Sequence, residues 1–526
     1  MTPRFALQAW RPWQVALALF VVAAVTRVAL LQTARFGGDE ALFFRIGMDI
    51  VEGKSFPLLG THITDGAARL PGPTFLYLMA APLLLWRAPE AQFLFVELLG
   101  ALTVVVFWAG LRNVVGARGA GVGGLFFACA PWATLYADRT WNPNVMPFFV
   151  VVAIACAWRL RANPTSKAAV VLWPTMALMA HIHMSAPVAW AGVLVVVGPS
   201  ALRAGLRAGL RAGLRRPGAH LFGLALAALC FVPLAIHEAQ TGFNNTRQIW
   251  AETVGKVGGT RHPWGFLWVP VYSLRMLTLD VSYHELTGYW GGPDEWRCLR
   301  SLVEGTAVRP MNPWRAVALW SSVVLGLSAM AISGRAALRA WRNGTSLSPA
   351  GVIVAAVVVV VAVNTAMMGL TAKQVFGHYV TNQFPFLVMM LALAASVDLG
   401  HMQRRIGAAL LVVFCIGGVE ASTVVSRRVD ARIGLDVHRR AGAVIAADAD
   451  IAGIPQSTPI RLDFVGLRGS HYDWHIFGTK ALGLPWHFDP RATQRRYALT
   501  PTGHKAPRAA VGEYVDVGHA WLWRLR

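Results

Sequence analysis

The chain has 526 residues, 55% of them hydrophobic and only 14% charged, against about 25% charged in ordinary soluble domains. That composition excludes a water-soluble enzyme, and the apolar fraction excludes a disordered chain. The formal charge of +22 invites a nucleic-acid reading, which the distribution of the charge refutes.

Eleven apolar stretches of spanning character follow one another at 13–32, 91–111, 119–136, 144–158, 168–183, 184–201, 219–237, 314–333, 350–370, 379–398 and 406–425. A further one, 73–86, is too short to cross comfortably and sits between prolines. If it stays at the surface, the alternate connections are 1–12, 112–118, 159–167, 202–216, 334–343 and 399–405. Together these hold 17 Arg or Lys and no Asp or Glu. Counting 73–86 as a span would move every later basic connection to the other face. The positive-inside rule therefore predicts a cytoplasmic N-terminus, eleven crossings and an extracytoplasmic C-terminus. The outer segments are then 33–90, 137–143, 182–184, 238–313, 371–378 and everything beyond 426. The basicity encodes topology, and no nucleic-acid partner is expected.

The first stretch is interrupted by Arg27, and no small-residue cleavage site follows it, so it reads as a retained anchor. Four of the five cysteines fall in spans (Cys129, Cys156, Cys230 and Cys415) and Cys298 lies outside, so no disulfide framework or CxxC site is expected. The repeat LRAGLRAGLRAGLRR at 202–216 lays Arg203, Arg207, Arg211 and Arg215 along one drifting helical stripe, read as a basic connector against anionic lipid. Beyond 426 the composition changes. PIRLDFVG (459–466), GEYVDV (512–517) and HAWLWRL (519–525) read as strands and 436–448 as a helix. The expected fold class is an all-α polytopic membrane protein of about eleven transmembrane helices (1–426), with outer-face surface helices and a small C-terminal α/β domain (427–526).

In such a protein the informative residues are polar clusters just outside the bilayer, and four fall on the outer side. GGDEALFFR (37–45) puts Asp39 and Glu40 in the first turn of an amphipathic surface helix, where carboxylates can cap the helix dipole or do chemistry. ITDGAARLPGPTFLY (63–77) places Arg69 before a proline-flanked surface helix, facing a lipid headgroup or a phosphate. YADRTWNPN (136–144) is a tight loop with Asp138 and Arg139, and AKQVFGHYVTNQFPF (372–386) brings Lys373, His378 and Tyr379 to a helix mouth facing Pro385. In the largest outer loop, NNTRQIW (244–250) carries Arg247. His181 and His183, two apart, do not share a helix face and read as satisfied buried histidines rather than metal ligands.

In order, spacing and membrane side, over about residues 10–400, these motifs resemble the polyprenyl-phosphate-dependent C-type glycosyltransferases. These are the protein O-mannosyltransferases, the aminoarabinose transferase of lipid A and their bacterial relatives. Asp39-Glu40 is similar to the family's acidic pair after the first helix, and Leu70-Pro71-Gly72-Pro73 to its proline pair. Arg139-Thr140-Trp141-Asn142-Pro143-Asn144 is similar to its outer-loop motif, and Lys373, Tyr379 and Pro385 to its later helix mouth. This chain has Arg69-Leu70 where the family often has Lys, Gly72 splits the prolines, and the nearest carboxylate is Asp65. That departure argues against lipid A as acceptor and against a metal site built on a neighbouring acid.

The resemblance implies transfer of a sugar from a polyprenyl-phosphate donor to a hydroxyl of an envelope glycan, lipid or protein on the outer face, with inversion. Asp39 would be the general base and Glu40 its orienter or a metal ligand. Arg69, Asp138, Arg139, Arg247, Lys373, His378 and Tyr379 would bind substrate and phosphate. A divalent metal fits the resemblance, but the sequence does not require one. Two other readings stand beside it: a lipid-linked saccharide transporter or flippase, and a polysaccharide polymerase or ligase. Against the carrier, Asp and Glu are nearly absent from the apolar stretches, Glu97 being a near-end exception, and no internal two-fold repeat is present.

Overall fold

The computed structural model describes residues 10–34, 36–63, 67–137, 139–212, 218–252, 265–279, 313–345, 347–371, 379–427 and 434–452, and parts of the tail beyond, including 458–464, 476–482, 495–501, 514–517 and 520–525. In chain order the helices are α1 (Pro12–Val28), α2 (Gly38–Val51), α3 (Thr74–Ala80), α4 (Pro89–Leu111), α5 (Gly116–Cys129), α6 (Pro131–Ala137), α7 (Asn142–Ala162), α8 (Ala168–Ile182), α9 (Ala186–Val197) and α10 (Pro199–Ala212). They continue as α11 (Ala219–Cys230), α12 (Val232–Thr241), α13 (Asn244–Trp250), α14 (Trp268–Arg275), α15 (Pro313–Arg342), α16 (Pro349–Thr371), α17 (Phe384–Ser396), α18 (His401–Arg427) and α19 (Leu435–Ile451).

Every apolar stretch expected to span is helical. Five helices, α4, α7, α15, α16 and α18, are long and apolar enough to cross a membrane, or up to seven if the bent pairs α9–α10 and α11–α12 each count as one span. The chain is a multi-pass membrane protein, but eleven crossings are not established. The shortfall has local causes. Pro131 breaks the stretch 119–136 into α5 and α6, and the chain bends by 41° between Cys230 and Val232 and by 81° after Val197. Thr74–Leu84, where α3 runs into a 3₁₀ turn, rises only about 18 Å against a hydrocarbon core of about 30 Å.

Arg27 is buried where α5 ends. Its guanidinium donates to the Ala23 carbonyl (2.9 Å), the Ala128 carbonyl (3.0 Å) and the Phe127 carbonyl (3.4 Å). Pro131 has no N–H, so a carbonyl one turn back lacks its helical donor. A cation inside the first apolar helix thus satisfies the helix break beside it.

Contacts among the described residues join some connections of the basic group to one another, and some of the other group likewise. In the basic group, Arg161 donates to the Leu347 carbonyl (3.0 Å) and the Val196 carbonyl (3.2 Å), and the His220 ring meets the Pro164 carbonyl (2.8 Å). In the other group, Asn142 donates to Ile182 (2.7 Å), Asn382 to Ser185 (2.6 Å), and the backbone of Leu435 to Ala34 (3.0 Å).

The tail forms a four-stranded sheet of β1 (Ile460–Phe464), β2 (Arg495–Pro501), β3 (Val515–Asp516) and β4 (Ala520–Leu525) in the order β1-β2-β4-β3. The pair β1/β2 is parallel and the others antiparallel. Val437, Ala441, Ile445 and Ala449, one helical turn apart along α19, bury against Ile460, Leu462, Tyr497, Leu499 and Leu522. A second core joins the tail to the first outer segment: Phe36, Ala41, Phe44 and Met48 pack with Leu435, Ile476 and Phe477. Arg439 forks onto the buried Glu90 carboxylate, and Lys480 reaches Glu52 (3.3 Å) and Asp49 (3.5 Å) at the end of α2. The tail therefore lies on the same side of the membrane as residues 36–90.

His438 sits inside this joint, with ring centroids 5.5 Å from Phe36 and 4.9 Å from Phe477, and its Nδ1–H donates to the Gly434 carbonyl (2.9 Å). Burial pushes its imidazole down from 6.5 to about 4. The neutral ring thus contributes stability that is whole above pH 6.5 and is lost as the pH falls toward about 4, up to about 3 kcal/mol. Hydrogen exchange in α19, corrected for intrinsic rates, should quicken across that window, and His438→Phe should flatten the dependence.

Candidate active site

The site begins where α1 gives way to α2. Gly38 has φ +42°, a left-handed conformation that a side chain resists, and it turns the chain so that Asp39 and Glu40 enter the first turn of α2. The two carboxylates then part. Asp39 is on the exposed side of the turn and Glu40 is buried. Glu40 Oε1 accepts from Arg139 Nε at 2.8 Å, and the Arg139 guanidinium also stacks over the Trp141 ring at 4.5 Å. Burying a carboxylate without a cation would cost several kcal/mol, so this pair locks the start of α2 to the loop between α6 and α7. Glu40 Oε2 is buried and accepts no hydrogen bond among the described residues.

The second element is Arg69. It faces His62 across a short antiparallel bridge, with its guanidinium 3.1 Å from His62 Nε2. The backbone of Arg69 is clamped by the buried Asn245 side chain, which accepts from its N–H (2.8 Å) and donates to its carbonyl (3.1 Å), as a neighbouring strand would. Asn245 is held in turn by its helix, α13, whose Thr246 gives both its backbone N–H (2.8 Å) and its hydroxyl (2.9 Å) to the buried Glu238.

Arg69 stands between two clefts. One, of about 260 Å³, is lined by Leu42, Arg45, Ile46 and Asp49 of α2, with Thr61 and His62 opposite. Asp39 precedes Leu42 by three residues and so heads the same helical face. The other, of about 320 Å³, lies between Pro57–Leu59 and the polar residues His237, Asn244 and Gln248.

Gly72 has a packing reason. A Cβ there would stand 2.2 Å from His181 Nδ1, and the same ring nitrogen is 2.9 Å from Thr74 Oγ1. The histidine occupies the space that a second consecutive proline would need. His183 pairs with Ser185 (2.6 Å), so both histidines are engaged separately. Among the described residues, no three His, Cys, Asp or Glu side chains converge as a metal site; Asp39 and Glu40 Oε2 would supply part of one.

The structure therefore brings Glu40 and Arg139 together, with Asp39 beside them and Arg69 on the adjoining cleft. Arg247 is placed differently: its guanidinium turns back to the Gly242 carbonyl and to the Phe243 carbonyl (3.4 Å), outside the lining of both clefts. Tyr379 is half-buried, its ring 6.0 Å from that of His183 and its carbonyl accepting from Asn364 (3.2 Å). Asp138, Lys373 and His378 lie outside the described residues. Sequence reasoning missed His62, Glu238 and Asn245. Asn245 is two residues from Arg247, and no local spacing marks it as the one that reaches back 176 positions.

No protein-family model matches the sequence, and no curated protein matches it by sequence. Among solved structures, the chain is similar to ArnT from Cupriavidus metallidurans bound to undecaprenyl phosphate, at 13% identity and a TM-score of 0.49 over 97% of each chain. It is similar also to the oligosaccharyltransferase of Archaeoglobus fulgidus tethered to an acceptor peptide, at 13% identity and a TM-score of 0.46, over 91% of this chain and 64% of that one. The same enzyme in complex with Zn and sulfate gives 13% and 0.46 over 89% and 61%. Residue roles in this chain rest on its own contacts.

Arg139→Ala would leave the Glu40 carboxylate buried without its cation, a loss of about 3–5 kcal/mol. It should lower the melting temperature in detergent far more than Arg139→Ala combined with Glu40→Gln.

Proposed function

We propose that the chain is an integral-membrane glycosyltransferase that moves a sugar from a polyprenyl-phosphate donor to a hydroxyl of an envelope acceptor. The reaction takes place on the outer face of the inner membrane. The observation that carries this reading is the unequal environment of adjacent carboxylates: Glu40 is buried on Arg139, while Asp39 is exposed at the head of the face lining the cleft beside Arg69. Helix capping alone would not need that division.

In this reading Asp39 takes the proton of the acceptor hydroxyl as its oxygen attacks the anomeric carbon. The bond from that carbon to the phosphate oxygen breaks, and the lipid phosphate leaves with the electron pair. A single displacement inverts the anomeric centre. Arg69 stabilises the leaving phosphate, a task suited to a guanidinium, and Lys373 is proposed to assist it. Glu40 and Arg139 position Asp39. Asp138, Arg247, His378 and Tyr379 are proposed to contribute to holding the donor, and membrane lipids surround it. A divalent cation, if bound, would be held by Asp39 and Glu40 and would add positive charge at the leaving phosphate. The two groups of connections and the basic character of one support a cytoplasmic N-terminus and an extracytoplasmic tail. A polymerase or ligase using the same donor class would share this chemistry.

Asp39→Asn keeps the shape and the capping ability of the residue and removes its basicity. Transfer by the purified protein should fall by about 10² to 10⁴ with donor binding nearly unchanged. Arg69→Ala should weaken donor binding as well as turnover. Near-normal transfer by folded Asp39→Asn protein would reduce the acidic pair to a structural cap.

A further inference from the structure

The basic repeat has no part in the proposed chemistry, and its geometry is distinctive. After α9 the chain turns by 81° into α10. The turn is made at Gly198, whose φ of +80° is a left-handed conformation. The repeat thus runs nearly at right angles to the apolar helix that precedes it, along the face where the basic connections gather.

Its four-residue period sorts the side chains. Ala201 and Gly205 are buried against the protein, and a Cβ on Gly205 would stand 2.3 Å from His220 Nε2 and 2.6 Å from the Pro164 carbonyl. Leu202 and Leu206 are half-buried on one flank, whereas Arg203 and Arg207 are exposed on the side away from Gly205. Neither arginine makes an ion pair among the described residues, and the sequence has no acidic residue from 159 to 237. Arg161 adds a cation at the junction through its bond to the Val196 carbonyl (3.2 Å). A helix with small residues on the protein, leucines on one flank and unneutralised arginines outward is shaped for the boundary between acyl chains and headgroups.

We propose that α10 is a binding surface for anionic phospholipid headgroups, which its arginine stripe recognises by charge. Each arginine near an anionic surface contributes roughly a fivefold gain in affinity, and the attraction weakens as salt shortens the screening length.

The test is native mass spectrometry of the full-length protein in detergent, titrated separately with phosphatidylglycerol and phosphatidylcholine. The wild type should retain phosphatidylglycerol selectively. Arg203→Gln/Arg207→Gln should lower that retention about twentyfold, toward the phosphatidylcholine level, while Arg203→Lys/Arg207→Lys should keep most of it. Raising ammonium acetate from about 0.1 to about 0.5 M should weaken retention by the wild type, a readout that needs no variant to fold. Equal retention of the two lipids by the wild type, undiminished phosphatidylglycerol binding by the glutamine variant, loss in the lysine variant, or indifference to salt would each overturn the proposal.

Discussion

A carboxylate buried without a cation or hydrogen-bond donors is costly, and Glu40 is paired with Arg139 at 2.8 Å. The placement of α2 depends on that pairing. The pair ties the first turn of α2 to the α6–α7 loop, next to which Asn142 reaches the end of α8 and Asn382 reaches Ser185. The same device recurs at Glu90, buried and forked by Arg439 of the tail. Both acids belong to the first outer segment and both cations arrive from later in the chain. The surface helix bearing Asp39 is thus held at its start by one arginine. At its far end it is held by Lys480 on Asp49 and Glu52.

This arrangement gives two adjacent carboxylates different surroundings. Glu40 does the holding, and being packed away it leaves Asp39 the more accessible of two neighbouring carboxylates. Arg69 is organised on the same principle: its backbone is fixed by Asn245 while its guanidinium faces the clefts. The basic connections include α10, whose described arginines face away from the protein and suit contact with lipid.

Much of this was legible in the sequence, because hydrophobic period and charge bias are local signals. The helices fall on the expected stretches, and Asp39 and Glu40 open a surface helix as their glycines suggest. The number of crossings was less legible, since Pro131 and Gly198 break or turn apolar stretches whose composition alone reads as continuous. Strand β2 was missed because Arg495-Arg496 and Pro501 frame only four core residues, and its pairing with β1 and β4 is a tertiary decision. Asn245, Glu238 and the Glu90–Arg439 pair were invisible for the same reason: their partners are remote or their role is to hold backbone. Gly72 looked like a departure from a motif and is a contact with His181.

The account's central claim is sugar transfer from a lipid phosphate on the outer face, and it is tested most directly by mass spectrometry of envelope glycans, glycolipids and polyprenyl-phosphate sugars. The cells compared should lack the gene or carry either the wild-type or the Asp39→Asn chain at equal membrane abundance. The account predicts one sugar modification present only with the wild type, and its polyprenyl-phosphate donor accumulating in the other two strains. Identical envelope profiles in all three, or full restoration of the modification by the Asp39→Asn chain, would contradict it.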